Sequence, residues 1–296
     1  TSEMTYALAN ARGPNHLRLG VGVMMSYKTL NGLPTKWSAA FPKNEDIADI
    51  FTEHPNAFNV LHYADYDGVD VKNSLVRAAS FGGPNLHAVQ LDMVWPLLGD
   101  VAVLRNAYPH LKIILQVGAN AMEACGDDPA KVTRELLDYR TRDLIDYVLF
   151  DRSMGKGLGM DAPLLLRYID NLMSFFLEDQ FDLGLVVAGG LGPSSVELVR
   201  PIIEKYPGVS LDAQSKLRPS GSAFDPVDWS MAGDYVARAA AEFDKANWAA
   251  PPENYPRRRW GARCTFGGLG RGCLASPPAP SRCSCACLKA ESVRGP

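Results

Sequence analysis

The sequence predicts an α/β protein. The expected fold is a (β/α)8 TIM barrel, incomplete or modified at its N-terminal strand and followed by an irregular C-terminal tail. Three observations carry this expectation. Strand-like and helix-like segments alternate from residue 17 to residue 246. The strand-like runs are almost continuously apolar, as strands covered on both faces of a parallel sheet are. Polar and glycine residues gather where those runs stop, which is the end at which such barrels carry function.

The strands, in order, are LRLGVGVMMS (17–26), FNVLHYAD (58–65), LHAVQLDM (86–93), LKIILQVG (111–118), IDYVLFD (145–151), LGLVVAGG (183–190) and GVSLDAQS (208–215). Seven are visible, so a barrel needs one more. A doubly wound open sheet is the structural alternative. A sheet left open by a missing strand exposes its edges, and a homodimer is then expected.

Helices fall between the strands: NEDIADIFTEH (44–54), GVDVKNSLVRAAS (68–80), DPAKVTRELLDYRTRDL (128–144), APLLLRYIDNLMSFFLED (162–179), SSVELVRPIIEKY (194–206) and DPVDWSMAGDYVARAAAEFDKA (225–246). A weaker one is DVAVLRNAYP (100–109). Several begin with Asp or Ser at the capping position.

Residues 1–246 therefore read as the barrel domain and 247–296 as a separate tail. The tail is rich in Pro, Gly, Arg and Cys, has no apolar period, and reads as disordered. Its CSCAC run lacks the paired spacing of a zinc site, so no metal is expected.

Composition narrows the function. The chain has 296 residues, 47% of them hydrophobic and 21% charged, with a formal net charge of −3. That balance suits a globular core and excludes a general polyanion binder, so no nucleic-acid partner is expected. The longest apolar runs, such as GLVVAGGLG (184–192), are too short to span a bilayer. The N-terminal segment has no signal-peptide core, and Cys125 is the only cysteine among the first 263 residues. A cytoplasmic protein is expected, with no cofactor and no membrane partner.

The candidate site is the ring of residues that closes each apolar run. It comprises Ser26 and Lys28; Asp65 and Asp67; Gln90 and Asp92; Gln116 and Asn120; Asp151 and Arg152; Gly189 and Gly190; and Asp212, Gln214 and Ser215. Strand ends also meet water, so any one of these residues needs no further explanation. The segment VVAGGLGPSSV (186–196) is more specific. Glycines let backbone N–H groups approach an anion, and a helix start adds partial positive charge. The next strand ends with Ser215, Lys216 and Arg218 as further donors. After the fifth strand, Asp151 is followed by a second glycine-rich stretch containing Gly157 and Gly159.

Four of these segments, VQLDM, DYVLFDRSMGKGLGMD, VVAGGLGPSSV and VSLDAQSKLRPSGSAFDPVDWSMAGDYV, follow one another as the late strands of phosphoribosylanthranilate isomerase do. The resemblance covers roughly residues 58–242. It implies a ribulose-phosphate-binding barrel and an Amadori rearrangement of a phosphorylated aminosugar during tryptophan synthesis. Asp151 then aligns with the family's general acid, and Asp212 with its last-strand aspartate. Gly189, Gly190 and the backbone near Gln214 and Ser215 align with its phosphate cradle. Gln90 lies in the V-Q-L strand, and Lys28 is the nearest cation to the family's substrate-binding arginine.

The sequence departs from the family in its base. That base is a cysteine on the first strand, and no cysteine occurs here before Cys125. On the family alignment 17–26 is the second strand, so the first is missing. A stretch of the tail, ARCTFGGLG (262–270), loosely echoes it. Asp65 and Asp92 are the alternative bases. A non-catalytic phosphosugar-binding or scaffold protein is the second reading. A metal-dependent barrel hydrolase built on Asp65, Asp67, Asp92, Asp151 and His62 is the third.

Overall fold

The computed structural model describes residues 18–54, 56–153, 159–176, 183–248 and 285–289. Each run predicted as a strand is one: β1 (Arg18–Ser26), β2 (Ala57–Ala64), β3 (Ala88–Asp92), β4 (Lys112–Gly118), β5 (Tyr147–Asp151), β6 (Gly184–Ala188) and β7 (Ser210–Ala213). All pair in parallel with their neighbours in chain order, and the sheet curls.

A further strand, β8 (Cys285–Lys289), comes from the segment expected to be irregular. It pairs in parallel with both β1 and β7, setting Arg18 opposite Cys285 and Asp212 opposite Cys287. The strand order thus closes on itself. Two sheet edges with unpaired backbone groups give a short segment a reason to order that its composition does not announce. Residues 249–284, ARCTFGGLG included, 290–296 and 1–17 lie outside the described residues.

The helices are α1 (Tyr27–Leu30), α2 (Ile47–Ile50), α3 (Val71–Ser80), α4 (Leu98–Ala107), α5 (Ala119–Ala124), α6 (Pro129–Arg140), α7 (Ala162–Phe176), α8 (Arg200–Lys205) and α9 (Trp229–Trp248). Local signals set several of them. Asp128 accepts a hydrogen bond from the Ala130 amide at the start of α6, with Pro129 in the first helical turn. Ser26 and Thr29 cap α1 reciprocally. The helix expected over 44–54 is reduced to a 3-10 turn at Asn44–Asp46 and the single turn of α2.

Side-chain alternation divides the core in two. Leu61, Tyr63, Leu115, Val117, Val148 and Phe150 face the helices in the main core. Phe58, Val60, Ala88, Ile114, Leu149, Val186 and Ala188 form a second cluster inside the curled sheet. Two residues further along β2, β3 and β4, the same inner face turns polar with His62, Gln90 and Gln116. The sheet thus has a dry lower interior and a polar mouth at its C-terminal end.

Among the described residues, no helix is long and apolar enough to cross a membrane.

Candidate functional site

The polar floor of the mouth is hydrogen-bonded across strands. Gln90 Nε2 donates to Gln116 Oε1 at 2.6 Å, joining β3 to β4. His62 Nε2 lies 3.1 Å from Asp92 Oδ2, joining β2 to β3. An ionised carboxylate only accepts, so Nε2 carries the proton in this pair. His62, Gln90, Gln116 and Asp212 are all buried.

Above this floor stands Tyr66, in the loop after β2. Its hydroxyl donates to Asp92 Oδ1 at 2.5 Å. The ring is half-exposed, but its oxygen end turns toward the carboxylate. Burial of that end, the Asp92 charge and hydrogen bond, and the Asp151 charge together push the phenol far above the ordinary tyrosine range. Tyr66 therefore remains a hydroxyl donor at neutral pH, and the carboxylates from the ends of β3 and β5 both act on it.

Asp151 is half-buried. Its Oδ1 accepts from the Ser153 amide at 2.9 Å and from the Ser153 hydroxyl at 2.7 Å. Both of these bonds fall on Oδ1. Gly189 passes close by: a Cβ on it would stand 3.7 Å from Asp151 Oδ1 and 3.6 Å from Ser153 Cβ. The turn after β6 is left-handed at both Gly189 (φ 126) and Gly190 (φ 59), a conformation that favours glycine. Gly192 lies so close to the β7 loop that a Cβ would meet Lys216 Cβ at 2.6 Å and its carbonyl oxygen at 2.9 Å. Asp151, the glycine turn and the β7 loop are thus neighbours.

The helix expected to start this loop is delayed. A 3-10 turn at Val196–Val199 comes first, and α8 has only six residues. Any anion here is met by loop amides more than by a helix end. Gln214 leads into the 3-10 turn Ser215–Leu217, in which Ser215 is buried. Arg218 is buried and donates to the Asp225 carbonyl, tying down the long β7 loop.

Other candidates point elsewhere. Asp65 turns into its own loop, where Oδ1 accepts from the Asp67 amide at 3.0 Å and the Gly68 amide at 2.9 Å. Its Oδ2 accepts from the Tyr63 hydroxyl at 3.3 Å. Lys28 forms an exposed ion pair with Asp67 at 3.6 Å. Gly159 is exposed, and Gly157 lies outside the described residues. Cys125 is a buried free thiol whose burial pushes its titration up, away from the reactive thiolate. Among the described residues, no three His, Cys, Asp or Glu side chains are grouped to hold a metal ion. The hydrolase alternative therefore has no such cluster to rest on there.

The sequence reading missed three participants. His62 entered it only as a metal ligand, and Tyr66 and Ser153 not at all. The alternation in FNVLHYAD contained the signal for His62: with Phe58 and Val60 facing inward, His62 faces inward too. Tyr66 gave none, because it sits in a loop whose path no period predicts.

The β3 loop beside this site holds a strained residue. Trp95 has φ 41, rare for a bulky side chain, and is held there by its indole N–H donating to the Ala121 carbonyl and by stacking on Tyr139.

No family model and no curated protein matches the chain. Among solved structures, a pyruvate carboxylase variant of Rhizobium etli, crystallised without acetyl coenzyme A, aligns over 77% of this chain with 11% identity and a TM-score of 0.46. This chain spans about a quarter of that enzyme's length, 24%. An uncharacterised Clostridium thermocellum protein, which binds two copies of 5-methyl-5,6,7,8-tetrahydrofolic acid, aligns over 98% of this chain and 93% of its own. Its identity is 10% and its TM-score 0.37.

Proposed function

We propose that the chain is a (β/α)8 barrel whose C-terminal mouth binds a small phosphorylated sugar and isomerises it by acid–base chemistry. Its acid half resembles that of phosphoribosylanthranilate isomerase, and its base differs. The observation that supports this reading best is the pair of strand-end carboxylates: Asp92 carries the Tyr66 hydroxyl, and Asp151 lies against a left-handed glycine turn.

Asp151 protonates the ring oxygen of the sugar as the ring C–O bond breaks. Asp92 takes the proton from the adjacent carbon, and the electron pair left behind forms the enol that ketonises to the product. Loop amides at Gly189, Gly190, Gln214 and Ser215 bind the phosphate. The polar floor of Gln90, Gln116 and Asp212 orients sugar hydroxyls.

Two measurements test this reading. Ribose 5-phosphate stabilises the protein against heat where ribose or inorganic phosphate alone does less. At a ligand concentration 100 times Kd the gain is about 2.7 kcal/mol. In D2O the protein also exchanges the proton at carbon 2 of that sugar. Stabilisation without exchange supports a binding or scaffold protein instead. No stabilisation by any sugar phosphate counts against both readings. Complementation of a tryptophan auxotroph lacking the isomerase tests the narrower assignment.

A further inference from the structure

The base half of the proposed site contains a line of three side chains that runs from the interior of the sheet to its mouth. His62 is 3% exposed, the Asp92 side chain 16% and Tyr66 50%. Asp92 turns one oxygen to each neighbour: Oδ2 to His62 Nε2 and Oδ1 to the Tyr66 hydroxyl. Tyr66 is the most exposed of the three and His62 the most buried.

We propose that Tyr66, Asp92 and His62 form a proton relay in which Tyr66 Oη touches the substrate and Asp92 receives the proton. This rests on the acid–base reading above and specifies how its base reaches the substrate. The C–H bond of the substrate breaks and its proton bonds to Tyr66 Oη. At the same time the phenol's own proton moves along the existing hydrogen bond to Asp92 Oδ1. The electron pair stays with the substrate carbon as the enol develops. Tyr66 is neutral before and after, Asp92 becomes neutral, and its charge passes to the substrate, where the proton from Asp151 balances it. The same two transfers run backward deliver the proton to the neighbouring carbon in isomerisation, or to the original carbon in exchange. As the enol ketonises, its hydroxyl proton passes to Asp151, so both carboxyl groups regain their starting states.

The environment of Tyr66 suits this role. Burial and the two carboxylates keep it protonated, so it accepts a proton only by giving its own away. His62 is a positioning residue that holds Asp92 Oδ2 and so aims Oδ1 at the phenol.

The test has two arms, both on the full chain. In the first, low-field proton NMR of the unliganded protein follows the Tyr66 hydroxyl and the His62 Nε2–H. Tyr66→Phe is expected to remove the first signal and to move the second, because Asp92 links them. A His62 signal unmoved by Tyr66→Phe overturns the relay. In the second arm, deuterium exchange at carbon 2 of ribose 5-phosphate slows by about 100-fold or more in Tyr66→Phe. Thermal stabilisation by the sugar phosphate is kept in that variant. Exchange within twofold of the unsubstituted protein in Tyr66→Phe, with none in Asp92→Asn, shows direct action by the carboxylate and also overturns the relay. If the unsubstituted protein shows neither stabilisation nor exchange, the sugar-phosphate reading fails and the relay falls with it, whereas stabilisation and exchange with an unmoved His62 signal overturn the relay alone.

Discussion

Trp37 and Phe224 stack with their ring centroids 4.6 Å apart and 11° between their planes. One belongs to the loop after β1 and the other to the loop after β7, so the pair ties together the rim on either side of β8. Phe41 also stacks with Trp37, its ring centroid 5.8 Å away. Phe224→Ala is expected to cost about 1 kcal/mol, read as a modest drop in Tm. A double-mutant cycle with Trp37→Ala should return a coupling of the same order. Full additivity would show that the two loops are independent.

Asp146 anchors the opposite end of the strands, just before β5. It accepts from Arg105 at 2.5 Å, from Lys112 at 2.7 Å and from the Ile113 amide at 2.9 Å. Burial alone would raise its titration, but these donors and the Arg105 charge hold the carboxyl below the usual range. A lowered folded pKa means the contribution to stability is complete above the unfolded carboxyl's pKa, about 4, and is lost as pH falls through the folded value. Asp146→Asn should cost about 2 kcal/mol at neutral pH. The difference from the unsubstituted protein should shrink in acid, and ligand stabilisation at the mouth should survive.

The glycines offer a paired experiment. Gly192→Ala drives a methyl group into the Lys216 backbone and should destabilise by about 1–3 kcal/mol. It should also weaken stabilisation by ribose 5-phosphate, because the two loops it separates bear the proposed phosphate donors. Gly208→Ala has open space around it and should be neutral or slightly stabilising. Similar thermal shifts for both variants would show that the close approach at Gly192 is unimportant.

Deleting Cys285–Lys289 removes the partner of both β1 and β7. The truncated chain should lose stability and associate through the freed edges, with a larger mass by light scattering. A monomer with unchanged Tm would show that β8 adds little.

The strands were legible because burial on both faces writes a simple message: short apolar runs that end in polar or glycine residues. Asp92 and Asp151 were legible for the same reason, each being the carboxylate that terminates such a run. What could not be read was pairing across the mouth. Nothing local in DYDG indicates that Tyr66 reaches back to Asp92, and nothing in Asp65 indicates that it folds into its own turn instead. The β8 strand stayed hidden because CACLK is too short to carry a period. Its order comes from the two edges it meets, which are distant in sequence.

Those distant edges bear on how the protein is made. On the ribosome β1 emerges long before its partner, because the segment that pairs with it at Arg18 is synthesised only at Cys285. While the residues between them are made, the nascent sheet therefore carries two open borders. Its closure is a contact between widely separated parts of the chain, the slow kind in folding. Until β8 arrives, the nascent sheet depends on whatever keeps other chains from its borders.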